Sequence, residues 1–230
     1  LTLGVWFYVE LKATINNTTG SFTLRLGGAT EATGSGVDTQ TTANAYADTI
    51  RLGQAAGGSG DGTVGALINE GDWDDLYVCD TSGAANNDLL GDMRGLANFA
   101  DAAGTTTAWT PNGAVSNYQC VDETTPNDET DYVSSSTAGQ VDTYGLGNLS
   151  VVTGTVAFVQ TCIYARKDSA GSRTVGRVFR ISGTDYVGST LNVPDSYSYL
   201  LDIAQVSPAT AVAFTIAEVN AMEAGVKAIS

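Results

Sequence analysis

Acidic residues are the side chains with the clearest chemical potential in this sequence. Asp74 is followed by Asp75 and Asp122 by Glu123, and three of the four residues from 128 to 131 are acidic. A glycosidase needs two carboxyl groups about 5 to 9.5 Å apart across a sugar cleft. Neighbouring residues of a strand point to opposite faces, so Asp74 and Asp75 cannot form such a pair in the strand predicted for them. We therefore expect no catalytic residues, with a glycosidase as the least favoured class.

Histidine is absent from the 230-residue chain. Its absence removes the usual general base and the commonest metal-ligating side chain. Serine and cysteine hydrolases that depend on histidine, and zinc sites of the usual kind, are thereby excluded. We expect a protein that is not an enzyme.

Calcium is the cation that the acidic loops would suit, because it prefers carboxylate and carbonyl oxygens. The candidate ligands are Asp122, Glu123, Asp128 and Asp131. Their spacing matches no EF-hand loop, and a solvated acidic loop is the favoured interpretation. We therefore expect that the protein binds no cofactor, and a bound calcium ion is the alternative.

The charge of the chain is strongly negative and unevenly distributed. The net charge is −15, and Arg94 is the single cation between Asp61 and Asp142, a range that holds 15 acids. Such a chain repels a nucleic-acid backbone. No stretch approaches the about 18 apolar residues of a membrane-spanning helix. Neither nucleic acid nor membrane is expected as a partner.

Aromatic residues in loop-like sequence are candidates for contact with a glycan or a protein partner. Trp109 and Tyr118 have this setting, whereas Trp6 and Trp73 lie in strand-like sequence and are expected to pack. The three cysteines, Cys79, Cys120 and Cys162, show no CxxC spacing. We expect them to be buried free thiols.

The elements that would position these residues are mostly strands. Apolar and polar residues alternate in several β-branched or aromatic stretches, which is typical of half-buried strands. The residues from Asn16 to Gly20 predict a turn between the first two. The predicted strands cover residues 5–15, 21–26, 50–53, 73–80, 151–152, 156–166, 175–181 and 197–203.

One helix is predicted, near the C-terminus. Thr215 and Glu218 form a capping-box pattern, and Val219 and Met222 lie three positions apart on one face. The predicted helix is short and leads into a final strand. By contrast, the turn-rich, acidic sequence from Asn86 to Thr143 predicts a linker followed by long loops.

Several of these stretches resemble known families. Residues 4–12 and 18–28 resemble a strand pair of concanavalin A-like (laminin-G-like) jelly rolls, although Gly27 stands where that family favours Asn, and 73–80 resembles a closing strand. The motifs at 90–94, 109–111, 117–118, 121–123, 131–133 and 215–226 resemble the second domain of virion structural proteins of tailed bacteriophages. The resemblance implies a fold and a virion location, and no catalytic residues.

Together these observations predict an all-β protein with one short C-terminal helix. Residues 1–85 are expected to form a jelly-roll part that is incomplete at its N-terminus, 86–94 a linker, and 95–230 an antiparallel β-sandwich. The expected function is that of a structural protein on the virion surface, such as a decoration, spike or fibre subunit. Its expected partners are other virion proteins and copies of itself, as a homotrimer. A carbohydrate-binding module for host-surface glycans is the alternative.

Overall fold

A computed structural model describes residues 5–47, 49–50 and 72–230. The chain divides into two compact units, unit 1 from Leu1 to Gly95 and unit 2 from Leu96 to Ser230. Antiparallel strands dominate both, and helix makes up 5% of the chain, which confirms the all-β prediction. The strands are β1 (Val9–Thr14), β2 (Gly20–Leu26), β3 (Ala29–Val37), β4 (Ala100–Thr107), β5 (Thr110–Asn112), β6 (Tyr132–Ser134), β7 (Val141–Leu146), β8 (Val159–Ala165), β9 (Thr174–Ile181), β10 (Thr184–Val187), β11 (Leu191–Asn192), β12 (Ser198–Ala204) and β13 (Glu223–Ala228).

Unit 1 contains a three-stranded antiparallel sheet in the order β1-β2-β3. Leu11 lies opposite Leu24 in the register of β1 and β2, and Leu24 lies opposite Ala32 in that of β2 and β3. Gly27 and Gly28 both have positive φ, at 55° and 87°, and form the tight turn between β2 and β3. Because side chains alternate between the two faces of a strand, Glu10, Lys12 and Thr14 of β1 lie on the same face. We call this the polar face of the sheet.

Residues of the segment from 72 to 91 contact the polar face of this sheet at Glu10 and Lys12. Glu10 is 3% exposed, and its Oε1 accepts hydrogen bonds from the Tyr77 hydroxyl and from the amide of Gly91 at 2.7 Å. Burial, followed by the Glu10 contact, raises the pKa of Tyr77 to about 12, so this hydroxyl remains a donor. Lys12 forms a salt bridge with Asp88 at 2.8 Å.

Unit 2 contains a six-stranded sheet and two smaller sheets. The large sheet has the order β10-β9-β13-β7-β4, and β11 pairs with the first residues of β9. β12 pairs with β8 over seven residues, and β5 pairs with β6. The β8–β12 sheet packs against one face of the large sheet, since residues of both contribute to the same two hydrophobic clusters. This is the two-layer arrangement of a sandwich.

The core of unit 2 lies between these two layers. Phe179 of β9 is fully buried and packs edge-on against Phe214, with ring centroids 6.0 Å apart. Val175 and Val226 form the second cluster with Val193. Inward side chains of β8 and β12, such as Ile163 and Leu200, pack against it. The opposite residues of β8 and β12 face outward.

The C-terminal helix α1 (Ile216–Ala221) is present as predicted. The Thr215 hydroxyl accepts a hydrogen bond from the amide of Glu218 at 3.1 Å, which caps the first turn. Val219 and Met222 are 6% and 3% exposed, so the predicted face is buried. The Glu218 carboxylate does not complete the box; it accepts a hydrogen bond from Ser207 instead. None of the described helices has the length and apolar character that crossing a membrane needs.

Several predicted elements differ in the structure. The segment 73–80 forms no strand, because Asp75 has a φ of 55° that interrupts the pleat, and Val151–Val152 is also irregular. The strand predicted at residues 5–15 is present, but as β1 it is shorter than predicted. The prediction of long loops from Asn86 to Thr143 is wrong, since β4 and β7 belong to the large sheet. The short strand predicted at 50–53 lies largely outside the described residues.

The cysteine prediction is half right. All three thiols are free, and Cys120 is buried, but Cys79 and Cys162 are exposed. Cys162 is exposed because it occupies an outward position of β8, opposite Leu201 of β12.

Candidate functional site

The acidic loop, residues 121 to 131, brings together two of the four carboxylates proposed as calcium ligands. The amide nitrogen of Asn127 donates to Glu123 Oε1 at 3.0 Å and to Asp131 Oδ1 at 2.6 Å. Burial raises the pKa of Glu123, and its hydrogen bond with Asp131 raises it further. Asn127 therefore bridges the two carboxyls and holds them side by side.

The other two candidates point elsewhere. Asp122 is exposed. Asp128 has a φ of 55°, and its carboxylate accepts a hydrogen bond from the Tyr164 hydroxyl at 3.1 Å. Within the part of the chain that the structure describes, no three acids or cysteines are grouped closely enough to hold a metal ion.

Three tyrosines form a cluster beside this loop. The rings of Tyr164 and Tyr197 are stacked, 5.1 Å apart with an interplanar angle of 8°, and Tyr199 lies 4.7 Å from Tyr164 at a tilt of 47°. Tyr164 of β8 lies directly opposite Tyr199 of β12 in the strand register. We call these residues the tyrosine cluster.

Charged groups border the tyrosine cluster. The Arg166 guanidinium donates to Glu129 Oε1 at 2.6 Å and lies 5.3 Å from the centre of the Tyr197 ring. The Tyr197 hydroxyl donates to the same carboxylate oxygen at 3.2 Å. The arrangement places flat aromatic surface next to fixed hydrogen-bonding groups, a combination that can bind a ligand with apolar and polar edges.

Apolar residues continue this surface along β12. Leu201 and Ile203 are 53% and 51% exposed, and Cys162 is exposed opposite Leu201. The outer face of the β8–β12 sheet therefore carries a row of uncovered apolar side chains. Contiguous exposed apolar surface of this kind marks interaction sites in soluble proteins.

Trp109 and Tyr118, the aromatic residues singled out from the sequence, are both half-buried. The indole nitrogen of Trp109 donates to the carbonyl of Gln140 at 3.2 Å, and the side chain packs against the Val175 cluster. Tyr118 lies in a short 3₁₀ helix, Asn117–Cys120. The structure thus gives Trp109 a packing contact and a fixed hydrogen bond.

Asp142 anchors the region around Trp109. Its carboxylate is fully buried and accepts hydrogen bonds from the Trp109 amide at 3.2 Å, the Asn117 side chain at 2.8 Å and the Tyr144 hydroxyl at 2.8 Å. Burial, then the charge of Asp142, raises the pKa of Tyr144, which keeps the hydroxyl protonated. These contacts position the 3₁₀ helix on β7.

The paired acids Asp74 and Asp75 hold the chain locally. Asp74 Oδ1 accepts from the amide of Asp75 at 2.9 Å, and Asp75 Oδ1 accepts from the amide of Gly95 at 2.6 Å. Asp75 also lies 3.7 Å from Arg94. Their contacts stabilise a bend in the backbone.

No family model, no curated protein and no solved structure matches the chain.

Proposed function

We propose that the chain is a non-enzymatic structural protein of a tailed-bacteriophage particle. It would be an auxiliary capsid or tail component, such as a decoration, spike or fibre subunit, exposed at the particle surface. It would act by associating with copies of itself and docking to other virion proteins. The virion assignment rests on the resemblance of its sequence motifs to those proteins.

One observation carries the association part of the proposal: strand residues with large apolar side chains are uncovered in each unit. Leu11 of β1 is 67% exposed and Leu201 of β12 is 53% exposed. Monomeric soluble proteins rarely expose contiguous apolar surface of more than a few hundred Å². Surfaces of this kind are suited to assembly, which requires no catalytic group.

The copy number of the chain in purified particles tests this function. Quantitative mass spectrometry of density-purified particles from the phage that encodes the chain should find it in a fixed ratio to the major capsid protein. Particles washed in high salt serve as the control, because apolar contacts persist when surface electrostatics are screened. Recovery of the chain only in the soluble lysate would contradict the proposal.

A carbohydrate-binding module is the second candidate, and the tyrosine cluster favours it. Stacked rings beside Asp128, Glu129 and Arg166 offer both the flat surface and the hydrogen-bonding groups that a sugar ring needs. Binding of the chain to a glycan array, followed by titration of Tyr199→Ala and Tyr118→Ala, tests it. Loss in Tyr199→Ala alone would locate the site at the cluster, and absence of any bound glycan would reject this candidate.

A further inference from the structure

One face of the unit 1 sheet is formed entirely by apolar residues. The strand registers place Val9 and Leu11 of β1 beside Leu26 and Leu24 of β2, because directly opposite residues share a face. We call this surface the apolar face. Its residues are Val9, Leu11, Ala13, Phe22, Leu24, Leu26, Ala29, Ala32 and Gly34.

The apolar face is most exposed along β1 and β3, whereas Phe22, Leu24 and Leu26 of the central strand are half-buried. Leu11 and Val9 are 67% and 44% exposed, whereas Glu10, between them on the other face, is 3% exposed. Among the described residues of unit 1, no apolar side chain is buried. A sheet with one apolar face requires a second layer to bury it. In the part of unit 1 that the structure describes, the apolar side chains of the two outer strands, β1 and β3, are therefore open to solvent.

We propose that the apolar face binds the same face of a second copy of this chain, across a twofold axis parallel to β2. This inference rests on the self-association proposed above and names the surface that performs it. The two sheets would pack face to face, about 10 Å apart, as the layers of a sandwich do. The contact is isologous, because each copy contributes the same residues.

Side-chain size makes the face complementary to itself. β1 contributes the large residues Val9 and Leu11, whereas β3 contributes Ala29 and Ala32. A twofold axis parallel to β2 places β1 of each copy over β3 of the other, so large residues meet small ones. Interdigitation of large and small residues is what close packing between layers requires.

Phe22 keeps the centre of the face flat. A Cβ atom added to Gly34 would lie 2.6 Å from the Phe22 ring, so the ring rests on the glycine instead of projecting outward. A projecting phenylalanine would hold two facing sheets apart. The glycine therefore permits close approach along β3.

Charge restricts the surfaces at which a second copy of the chain can bind. The chain carries a net charge of −15, so most contacts between copies would bring like charges together. The apolar face contains no charged side chain and is free of that repulsion. A copy is also present at the same concentration wherever the chain is made.

The size of the face sets the expected strength. Three strands about 4.8 Å apart and about six residues long span roughly 300 Å² per copy. A standard stable interface buries about 800 Å² per partner, so this pairing alone should be reversible. We expect weak dimers that are populated only at high protein concentration, and an even number of copies in place of the predicted trimer.

Charge substitution tests the pairing, with sedimentation velocity of the 230-residue chain as the measurement. Leu11→Asp should weaken self-association by about 100-fold or more, because it would bury an unpaired charge in each half of the contact. Ala32→Lys should do the same. The double variant should recover at least 10-fold of the loss, since each Asp would face a Lys of the other copy. Thr30→Asp, on the polar face of the same sheet, should have no effect, and circular dichroism should show that every variant is folded.

Different results would overturn the pairing. Equal loss with Thr30→Asp, no rescue in the double variant, or weakening by Leu201→Asp in place of Leu11→Asp would each do so, the last locating self-association on the β8–β12 sheet. A trimer that Leu11→Asp does not disturb would reject the pairing while leaving the proposed function intact. Absence from purified particles would reject the virion assignment without affecting the pairing.

Hydrogen exchange of the unmodified chain provides a measurement that does not depend on variants folding. Amides of β1, β2 and β3 should exchange more slowly at high protein concentration than at low concentration, while those of β9 and β13 should not change. Protection of β1–β3 that is independent of concentration would show that the chain covers the face itself, and would overturn the proposal.

Discussion

Arg177 and Asp202 form a buried ion pair that joins the two layers of unit 2. Arg177 Nε lies 2.7 Å from Asp202 Oδ2, and their side chains are 9% and 7% exposed. The guanidinium lies 4.3 Å from the centre of the Phe179 ring, and the amide of Ser189 donates to the same Asp202 oxygen at 2.9 Å. The ion pair therefore connects β9 to β12 across the core, although these two strands belong to different sheets.

Breaking this pair should destabilise unit 2 strongly. Asp202→Ala leaves the Arg177 charge buried without its partner, which typically costs about 3 to 5 kcal/mol. Urea unfolding followed by circular dichroism measures the loss. Asp185→Ala is the matched control, because it removes the partner of Arg180 in a more exposed pair and should cost less than about 1 kcal/mol. Equal costs in the two variants would show that the buried Arg177–Asp202 pair stabilises unit 2 no more than the exposed pair does.

Glu223 should make unit 2 less stable in acid. Burial alone would raise the pKa of the Glu223 carboxyl, but hydrogen bonds from the hydroxyl and amide of Thr105 and from the Thr143 hydroxyl together lower it. Because the folded state binds this proton less tightly than the unfolded state, its contribution is full above the ordinary pKa of 4.5 and is lost as the pH falls through the folded pKa. Glu223→Gln should cost about 1 to 2 kcal/mol at pH 7 and progressively less below pH 4.5.

Urea unfolding at several pH values measures the Glu223 effect. Glu31→Gln, which removes a carboxylate at an exposed position of β3, is the control for the loss of one negative charge. A cost for Glu223→Gln that remains constant from pH 7 to low pH would contradict the assigned hydrogen bonds.

Glu123 should have the opposite dependence. Burial and the hydrogen bond with Asp131 raise its pKa, so the folded state binds the proton more tightly and stability falls as the pH rises above 4.5. Glu123→Gln resembles the protonated carboxyl and should stabilise the fold at pH 7 by less than about 1 kcal/mol, with the gain disappearing in acid. Thermal unfolding at pH 7 and in acid measures the change, with Asp122→Asn removing the same charge at an exposed position. Destabilisation by Glu123→Gln at pH 7, or a loss of stability on adding chelator, would indicate that the loop holds a cation.

Met222 should contribute to the core through its burial beside Phe179 and Val219. Met222→Ala should cost about 2 to 5 kcal/mol, because it removes buried surface and leaves a cavity. Val212→Ala, at a position that is 62% exposed, should change stability by less than about 0.5 kcal/mol. Urea unfolding compares the two, and a Met222→Ala variant as stable as the control would show that α1 is not docked on the sheet.

Strands with large alternating side chains could be predicted from the sequence, whereas strands of small residues could not. β2, β9 and β12 were predicted within about one residue, since each combines β-branched or aromatic residues with alternation. β3 and β4 consist mainly of Ala, Gly and Thr, and only pairing with a neighbour makes them strands. Side-chain propensity carries too little signal to identify such elements.

The candidate functional residues, too, could be predicted from the sequence only in part. The spacing of Glu123 and Asp131 predicted that these acids would share a loop, and Asn127 between them is visible in the sequence as a polar neighbour. The tyrosine cluster was missed, because stacking of Tyr164 and Tyr197 depends on the register between β8 and β12, which are more than 30 residues apart. The apolar face was predictable from alternation in β1 and β2, but its exposure was not.

The mass of the chain in solution tests the central claim of self-association most directly. Native mass spectrometry and sedimentation equilibrium over a wide concentration range should give an even multiple of 23.7 kDa that decreases on dilution. Leu11→Asp should remain at 23.7 kDa at concentrations where the unmodified chain is dimeric. A mass of 23.7 kDa for the unmodified chain at every concentration, with β1–β3 fully protected from hydrogen exchange, would contradict the account.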